Sequence, residues 1–224
     1  MTFTLRPLKF EDIHQVEEIE KEAFPTLWPR TPFKRDLSDS RMRCLVVSKP
    51  LPSPGMDGQP KAASEATEAP PRESTWGRLI KSVRKRTPSE GQAMDAKPKD
   101  CPLGYVSIWV MVDEAHITSI AVRATWRGLG LGELLVIGAL EIAIQRRSRV
   151  STLEARVSNH VAIPLYEKYG FKRVGIRKGY FTDNREDAVL MTTEPIDTLA
   201  YQTKFKELQQ SYRQRHGTIE VMLG

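Results

Sequence analysis

The residues with the clearest potential for chemistry are glycines between an apolar strand-like stretch and a long apolar helix-like stretch. The β-branched run Ile117–Val122 leads into the turn 127–132, which reads Arg-Gly-Leu-Gly-Leu-Gly. Glycine permits left-handed backbone angles and close approach to a ligand. The free N–H groups and positive dipole of a first helical turn attract phosphate-type anions. The segment therefore predicts an anion-binding turn.

Two widespread phosphate-binding loops do not fit this turn. A dinucleotide fingerprint needs Gly-x-Gly-x-x-Gly and an acidic residue about twenty positions further on. Here the glycines read Gly-x-Gly-x-Gly, no strand-borne acid follows at that distance, and the preceding strand belongs to a hairpin. The Gly-Lys-Ser/Thr of a Walker loop is absent from the turn. On this segment alone, a glycine turn that only caps the helix is the alternative.

Several stretches resemble one family. The turn's Arg-x-x-Gly-x-Gly pattern resembles the pyrophosphate motif of the GNAT acetyltransferases. Residues 153–171, LEARVSNHVAIPLYEKYGF, resemble the signature of the RimI-type ribosomal-protein-alanine N-acetyltransferases, and the similarity continues over 177–191. Residues 22–25 with Trp28 are similar to that family's Ala-Phe-Pro-x-x-Trp loop. The resemblance covers the chain except residues 51–100 and the tail after about Asp197.

This resemblance implies an α/β (α+β) GNAT fold, with a mixed, mostly antiparallel central sheet flanked by helices. It implies an acyltransferase that moves the acetyl group of acetyl-CoA directly onto the N-terminal α-amine of a protein. The N-terminal alanine of a ribosomal protein is the expected acceptor. Two alternatives are a GNAT enzyme acting on a lysine or a small-molecule amine, and a non-catalytic acetyl-CoA-binding module.

The resemblance also assigns the two catalytic roles, with Glu154 as the general base and Tyr166 as the general acid. An N-terminal amine has a pKa of about 7.7–8.0, against about 10.4 for lysine, which mildly favours N-termini as acceptors. A phenol with a pKa of about 10 can donate a proton to a departing thiolate. The structural alternatives are a strand carboxylate paired with Arg156 or Arg123, and a tyrosine packed in the core.

Further residues are assigned to binding by the resemblance. Those expected to contact the coenzyme are the strand backbone of Ile120, Ala121 and Val122, the turn Arg127, Gly128, Leu129, Gly130, Leu131, Gly132 and Glu133, and Asn159. Asn159 also suits a helix N-cap, and the two roles are compatible. Those expected to contact the acceptor are Phe24, Trp28, Tyr180 and Glu186. For the aromatic residues, packing within loops is the alternative.

These residues must be positioned by alternating strands and helices. Apolar periodicity predicts strands over 2–6, 43–48, 103–112, 116–122, 152–157, 171–177 and 188–192, with a hairpin turn at 113–115. The same reasoning predicts helices over 11–23, 31–37, 130–147 and 159–169. The order indicates an α/β fold with a mixed sheet.

The predicted acetyltransferase domain spans residues 1–197 and is interrupted at 51–100. That segment holds seven of the chain's 15 prolines and too little apolar surface to fold, which predicts a largely disordered insertion. Within it, residues 76–86 predict a short basic amphipathic helix that contacts RNA or an anionic membrane; the alternative is a solvated linker. Residues 198–224 predict a helical tail, because Tyr201, Phe205, Leu208 and Tyr212 share one helix face.

Composition narrows the class of protein. The net charge is +6 and the pI about 9.3, which suits an anionic cofactor, RNA or a membrane surface; a solvated basic face is the alternative. No apolar run reaches transmembrane length and no signal peptide is recognisable, so we expect a cytoplasmic protein. Cys44 and Cys101 show no metal-ligand spacing, so no metal is expected. The four histidines share no spacing and receive no catalytic role, and the oligomeric state is left open.

Overall fold

The computed structural model describes residues 3–26, 30–50, 100–217 and 219–223. Its strands are β1 (Thr4–Pro7), β2 (Met42–Pro50), β3 (Asp100–Val110), β4 (Glu114–Val122), β5 (Val150–Arg156), β6 (Phe171–Arg177), β7 (Ala188–Thr193) and β8 (Glu220–Val221). Its helices are α1 (Ile13–Ala23), α2 (Phe33–Asp36), α3 (Leu131–Gln145), α4 (Ala162–Lys168) and α5 (Leu199–His216). Trp28 and the predicted helix at 76–86 lie outside the described residues.

The strands form one eight-stranded mixed sheet in the order β6-β7-β5-β4-β3-β2-β1-β8. Neighbouring strands are antiparallel except for the parallel pairs β4–β5 and β1–β8. The prediction of a mixed, mostly antiparallel sheet flanked by helices is confirmed. The parallel pair β4–β5 is joined by α3, as a crossover between parallel strands requires.

The sheet separates two apolar cores. Alternate strand residues point to opposite faces, so Leu45 and Val47 pack with α3 to α5, whereas Cys44 and Val46 pack with α1 and α2. Helix α3 lies in the larger core and is apolar nearly all round, as a helix covered on several sides should be. Both faces of the central strands are therefore covered.

A buried ion-pair cluster holds the ends of β2 and β3 together. Both terminal nitrogens of Arg6 donate to the carboxylate of Asp12, at 2.7 and 2.9 Å, and Arg6 also donates to Asp100. Asp100 accepts a further bond of 2.6 Å from Ser48. Because Pro50 pairs with Asp100, the chain leaves the sheet and rejoins it at adjacent positions. Long insertions at such sites cost little closure entropy.

The structure corrects several predicted boundaries. Asp100 belongs to β3 rather than to the insertion predicted at 51–100, and the other residues of that segment lie outside the described ranges. Glu114 and Ala115 are strand rather than hairpin turn. Helix α4 begins at Ala162 rather than at Asn159. The tail forms α5 and then strand β8, which was not predicted and which pairs with β1.

Candidate active site

A cleft opens where β4 and β5 part. Their parallel pairing ends at Ile117 and Leu153, although β4 continues to Val122 and β5 to Arg156. The cleft has a volume of about 420 Å³ and is lined by both diverging strands. The edge of β4 beyond Ile117 that faces β5 pairs with no strand in the described structure. It therefore offers backbone N–H and C=O groups to an extended ligand.

Glu154 lies in this cleft between two basic side chains. Its side chain is 11% exposed; Oε2 is 3.1 Å from His116 Nε2, and Oε1 is 2.9 Å from Arg177 Nη1. Neither Arg156 nor Arg123, the partners considered from sequence, pairs with it. Arg156 instead binds Asp183, and Arg123 binds Glu18. The carboxylate is thus oriented by His116 and Arg177 and faces the cleft.

His116 was missed by the sequence reasoning, which gave no histidine a role. It pairs across the sheet with Thr152, two residues before Glu154 on the same face of β5. His116 Nδ1 lies 2.8 Å from Thr152 Oγ1, and the threonine hydroxyl donates to Glu114. These contacts fix the ring against Glu154. The parallel register that creates them was not predictable from either strand by itself.

Tyr166 lines the same cleft from α4 and is 5% exposed. Its ring packs edge-on against Phe171 at 5.9 Å between centroids. Burial raises the pKa of the Tyr166 phenol to about 12, so the hydroxyl stays protonated at neutral pH. No hydrogen bond reaches this hydroxyl from the residues that the structure describes. The structure therefore brings a protonated phenol and a carboxylate to one cleft.

The predicted anion-binding turn adopts the expected conformation. Gly128 and Gly130 have φ values of 80° and 81°, in the left-handed region. Gly130 precedes α3, and no side chain of the described residues caps the free amides of that helix's first turn. A Cβ on Gly128 or Gly132 would meet no atom within 4 Å, so the surface beside these glycines is open. The turn fits a diphosphate bound by backbone amides.

Other residues assigned to the coenzyme have additional contacts. Arg127 is exposed, and its Nε donates to Val122 O. Asn159 Oδ1 accepts a 3.0 Å bond from Ala162 N, so its side chain caps α4. Glu133 is buried on α3 and accepts bonds from Lys168, Tyr169 and Arg215. Burial opposes its ionisation, but these three donors outweigh burial and lower the pKa of Glu133.

Two of the residues assigned to the acceptor from sequence line the cleft. Phe24 and Tyr180 line it, together with Phe181 and Asp183, which the sequence reasoning did not assign. Glu186 does not line the cleft. Its carboxylate accepts a 2.9 Å hydrogen bond from Ser158 N and another from Arg156 Nη1. Hydrogen bonding from Ser158 lowers the pKa of Glu186 to about 2. Glu186 therefore links its own loop to the end of β5 and the residues that follow it.

Two features are absent from the described residues. No group of three or more His, Cys, Asp or Glu side chains is arranged there to hold a metal ion. Among the helices in the described ranges, none combines the length and apolar composition needed to cross a membrane.

Comparisons with known sequences identify a family and relatives of this chain. Residues 60–171 match the model of the acetyltransferase (GNAT) family. A Bacillus subtilis (strain 168) protein, provisionally named a [ribosomal protein bS18]-alanine N-acetyltransferase, is 49% identical over 188 residues, which is 84% of this chain and 92% of that protein. The Escherichia coli (strain K12) [ribosomal protein bS18]-alanine N-acetyltransferase is 40% identical over 84 residues, covering 37% of this chain and 57% of that protein.

A solved structure shows the same fold. The crystal structure of the ribosomal-protein-S18-alanine N-acetyltransferase from Escherichia coli superposes with a TM-score of 0.59 and 23% sequence identity. The match covers 88% of this chain and 96% of the other.

Proposed function

This chain belongs to the acetyltransferase (GNAT) family, and on that premise we propose that it acetylates the N-terminal α-amine of a protein, using acetyl-CoA. The expected acceptor is the N-terminal alanine of a ribosomal protein, as in the names of the relatives. The observation that carries the proposal is the cleft between β4 and β5, where Glu154 and Tyr166 face one space.

The reaction is an acyl transfer without a covalent enzyme adduct. The acceptor nitrogen bonds to the thioester carbonyl carbon, the carbon–sulfur bond breaks, and coenzyme A leaves as a thiol. The amine must lose one proton, and the departing sulfur must gain one. A base and an acid on the same cleft meet both requirements.

Glu154 is the proposed base, acting on the amine directly or through one water. His116 and Arg177 hold its two oxygens on opposite sides, so the carboxylate cannot turn freely. The strand position places it where β4 and β5 have just parted. A fixed carboxylate at that point can receive the proton of an amine approaching along the cleft.

Tyr166 is the proposed acid. A raised phenol pKa of about 12 keeps the proton on its oxygen until the sulfur departs. A thiol has a pKa of about 8.5, so a free thiolate is a weaker base than this phenolate. The Tyr166 hydroxyl therefore donates a hydrogen bond to the negative charge that develops on sulfur as the carbon–sulfur bond breaks. Once the thiol has taken the proton, the strongly basic phenolate regains one from water.

The coenzyme fits along the edge of β4. Its pantetheine arm would pair with the free backbone edge at Ile120, Ala121 and Val122, and its diphosphate would lie at the turn before α3. The left-handed glycines and the open surface beside Gly132 support this placement. Asn159 borders the cleft and is available as a further contact.

The acceptor enters from the side of Phe24, Tyr180 and Asp183. An N-terminal amine is partly neutral near pH 7, because its pKa is about 7.7–8.0. A carboxylate base is therefore sufficient for an N-terminal amine, whereas a lysine amine, with its pKa of about 10.4, would need a stronger base. This chemistry supports an α-amine as the acceptor.

The test compares two peptides with the same enzyme preparation. One begins Ala-Arg and has a free N-terminus but no lysine, and the other is N-terminally blocked and carries one lysine. We expect acetyl transfer only to the first, measured by mass spectrometry. Transfer to lysine alone would replace this proposal with lysine acetylation, and transfer to neither, despite coenzyme binding, would favour a non-catalytic module.

A further inference from the structure

The C-terminal helix ends on the proposed phosphate-binding turn. Tyr212 Oη donates a 3.3 Å bond to Gly130 O, and the rings of Tyr212 and His216 lie 4.6 Å apart. The His216 ring covers Gly130 so closely that a Cβ on that glycine would lie 2.6 Å from the ring. Residues more than 80 positions apart in sequence thus form one surface.

The position of His216 is held by two neighbouring side chains. Tyr212 is 2% exposed and anchors the last turns of α5 in the core. Arg215 donates a 2.9 Å bond to Glu133 in the first turn of α3. Glu133 is itself fixed by Lys168 and Tyr169. The end of α5 is therefore joined to the start of α3 by the Tyr212–Gly130 hydrogen bond, and to α3 and α4 by a partly buried charged cluster.

The chemistry of this surface suits a phosphate. The amides of Leu131, Gly132 and Glu133 have no intrahelical acceptor, and within the part of the chain that the structure describes no side chain caps them. The carbonyl end of α5 brings negative partial charge nearby, which opposes an anion. Basic residues in the last turn of α5 offset that charge: Arg213, Arg215 and His216. Of these, His216 is the one whose ring lies against Gly130.

We propose that His216 is a phosphate-binding residue of the coenzyme site, donating a ring N–H to the diphosphate held at the turn before α3. This inference rests on the function proposed above, because it needs coenzyme A at that turn. It adds a residue from outside the segments that carry the family resemblance. It also gives α5 a role in binding, besides its role in covering the core.

The experiment measures coenzyme A binding by calorimetry for the native chain and for His216→Ala. We expect affinity to fall about tenfold, the effect of losing one hydrogen bond to a charged group. His216→Gln keeps an N–H donor at similar reach and should retain most of the affinity. His14→Ala is the matched control, because His14 is exposed on α1 on the opposite face of the sheet.

A second measurement distinguishes the loss of a phosphate contact from a general disturbance of packing around His216. S-acetyl-pantetheine lacks both the diphosphate and the adenosine, so its kcat/KM as acetyl donor should be the same for His216→Ala and the native chain. An equal loss with this donor, or native affinity of His216→Ala for coenzyme A, would overturn the proposal for His216. Failure of the native chain to bind coenzyme A would instead overturn the proposed function.

Discussion

At the scale of single residues, the cleft holds two ionisable groups in different surroundings. Glu154 lies between His116 and Arg177, with its two oxygens 3.1 and 2.9 Å from their nitrogens. Tyr166 has only apolar burial acting on it, which favours a neutral phenol. The pair is therefore the place to test chemistry separately from folding.

The phenol of Tyr166 can be removed without removing its ring. In Tyr166→Phe we expect turnover to fall about a hundredfold, the scale of a lost general acid, with little change in KM for acetyl-CoA. The melting temperature should change little, because the hydroxyl makes no hydrogen bond with the described residues. Steady-state kinetics and thermal unfolding of the same sample provide the measurement.

Glu154→Gln is the companion variant, and it should also lose turnover while coenzyme affinity is retained. Native turnover in Tyr166→Phe would rule out the phenol as the proton donor. A loss explained wholly by weaker acetyl-CoA binding would assign Tyr166 to binding instead of to proton transfer.

At the scale of secondary structure, the turn before α3 has a conformation that other residues adopt only at a cost. Gly128 and Gly130 have nearly equal φ values, 80° and 81°. Their surroundings differ, because a Cβ on Gly128 would meet open space and a Cβ on Gly130 would meet His216 at 2.6 Å. The two positions therefore form a natural pair for separating backbone strain from a steric clash.

We expect Gly128→Ala to lower the free energy of unfolding by about 1–2 kcal/mol, the cost of a left-handed conformation. Gly130→Ala should lower it by about 2–4 kcal/mol, because displacement of His216 adds an overpacking cost. Urea unfolding of both variants gives the comparison. Adding His216→Ala to Gly130→Ala should restore the part of the unfolding free energy that Gly130→Ala loses beyond Gly128→Ala. Equal losses in Gly128→Ala and Gly130→Ala would mean that α5 does not restrain the turn.

At the scale of the whole molecule, α5 completes the core although it follows the segment with family resemblance. Tyr201, Phe205 and Tyr212 are each 5% exposed or less, and Tyr201 donates a 2.8 Å bond to Tyr169 O. Strand β8 then extends the sheet beside β1. The predicted end of the acetyltransferase domain at residue 197 marks where the resemblance ends. That residues 1–197 form a folding unit stays a prediction.

Truncation after Asp197 should therefore yield a chain that aggregates or unfolds without cooperativity. Three buried aromatic side chains contribute about 5–9 kcal/mol together, which is comparable to the whole stability of a domain of about 5–15 kcal/mol. Truncation after Gly217 is the control, because it keeps α5 and removes only β8. Calorimetric melting of both is the measurement; a cooperative transition at native temperature for the shorter chain would contradict this account.

Local sequence patterns were enough to predict most of the order in which strands and helices follow one another along the chain. The strand–turn–helix at 117–147 and the left-handed glycines follow from β-branched residues, glycine spacing and apolar periodicity within one short stretch. The resemblance then assigned Glu154 and Tyr166, and both line the cleft. The errors lie at element ends: Asn159 caps α4 as its residue type indicates, but the helix begins three residues later than predicted.

The sequence by itself determined most of the strands and helices, though not β8 or every boundary, because side-chain periodicity and glycine conformation act over a few neighbouring residues. Only the tertiary structure decided which elements meet: His116 beside Glu154, α5 on Gly130, β8 beside β1. These contacts join segments about 40 to more than 200 residues apart. Strand register and helix docking depend on how whole faces pack, and no local pattern contains that information.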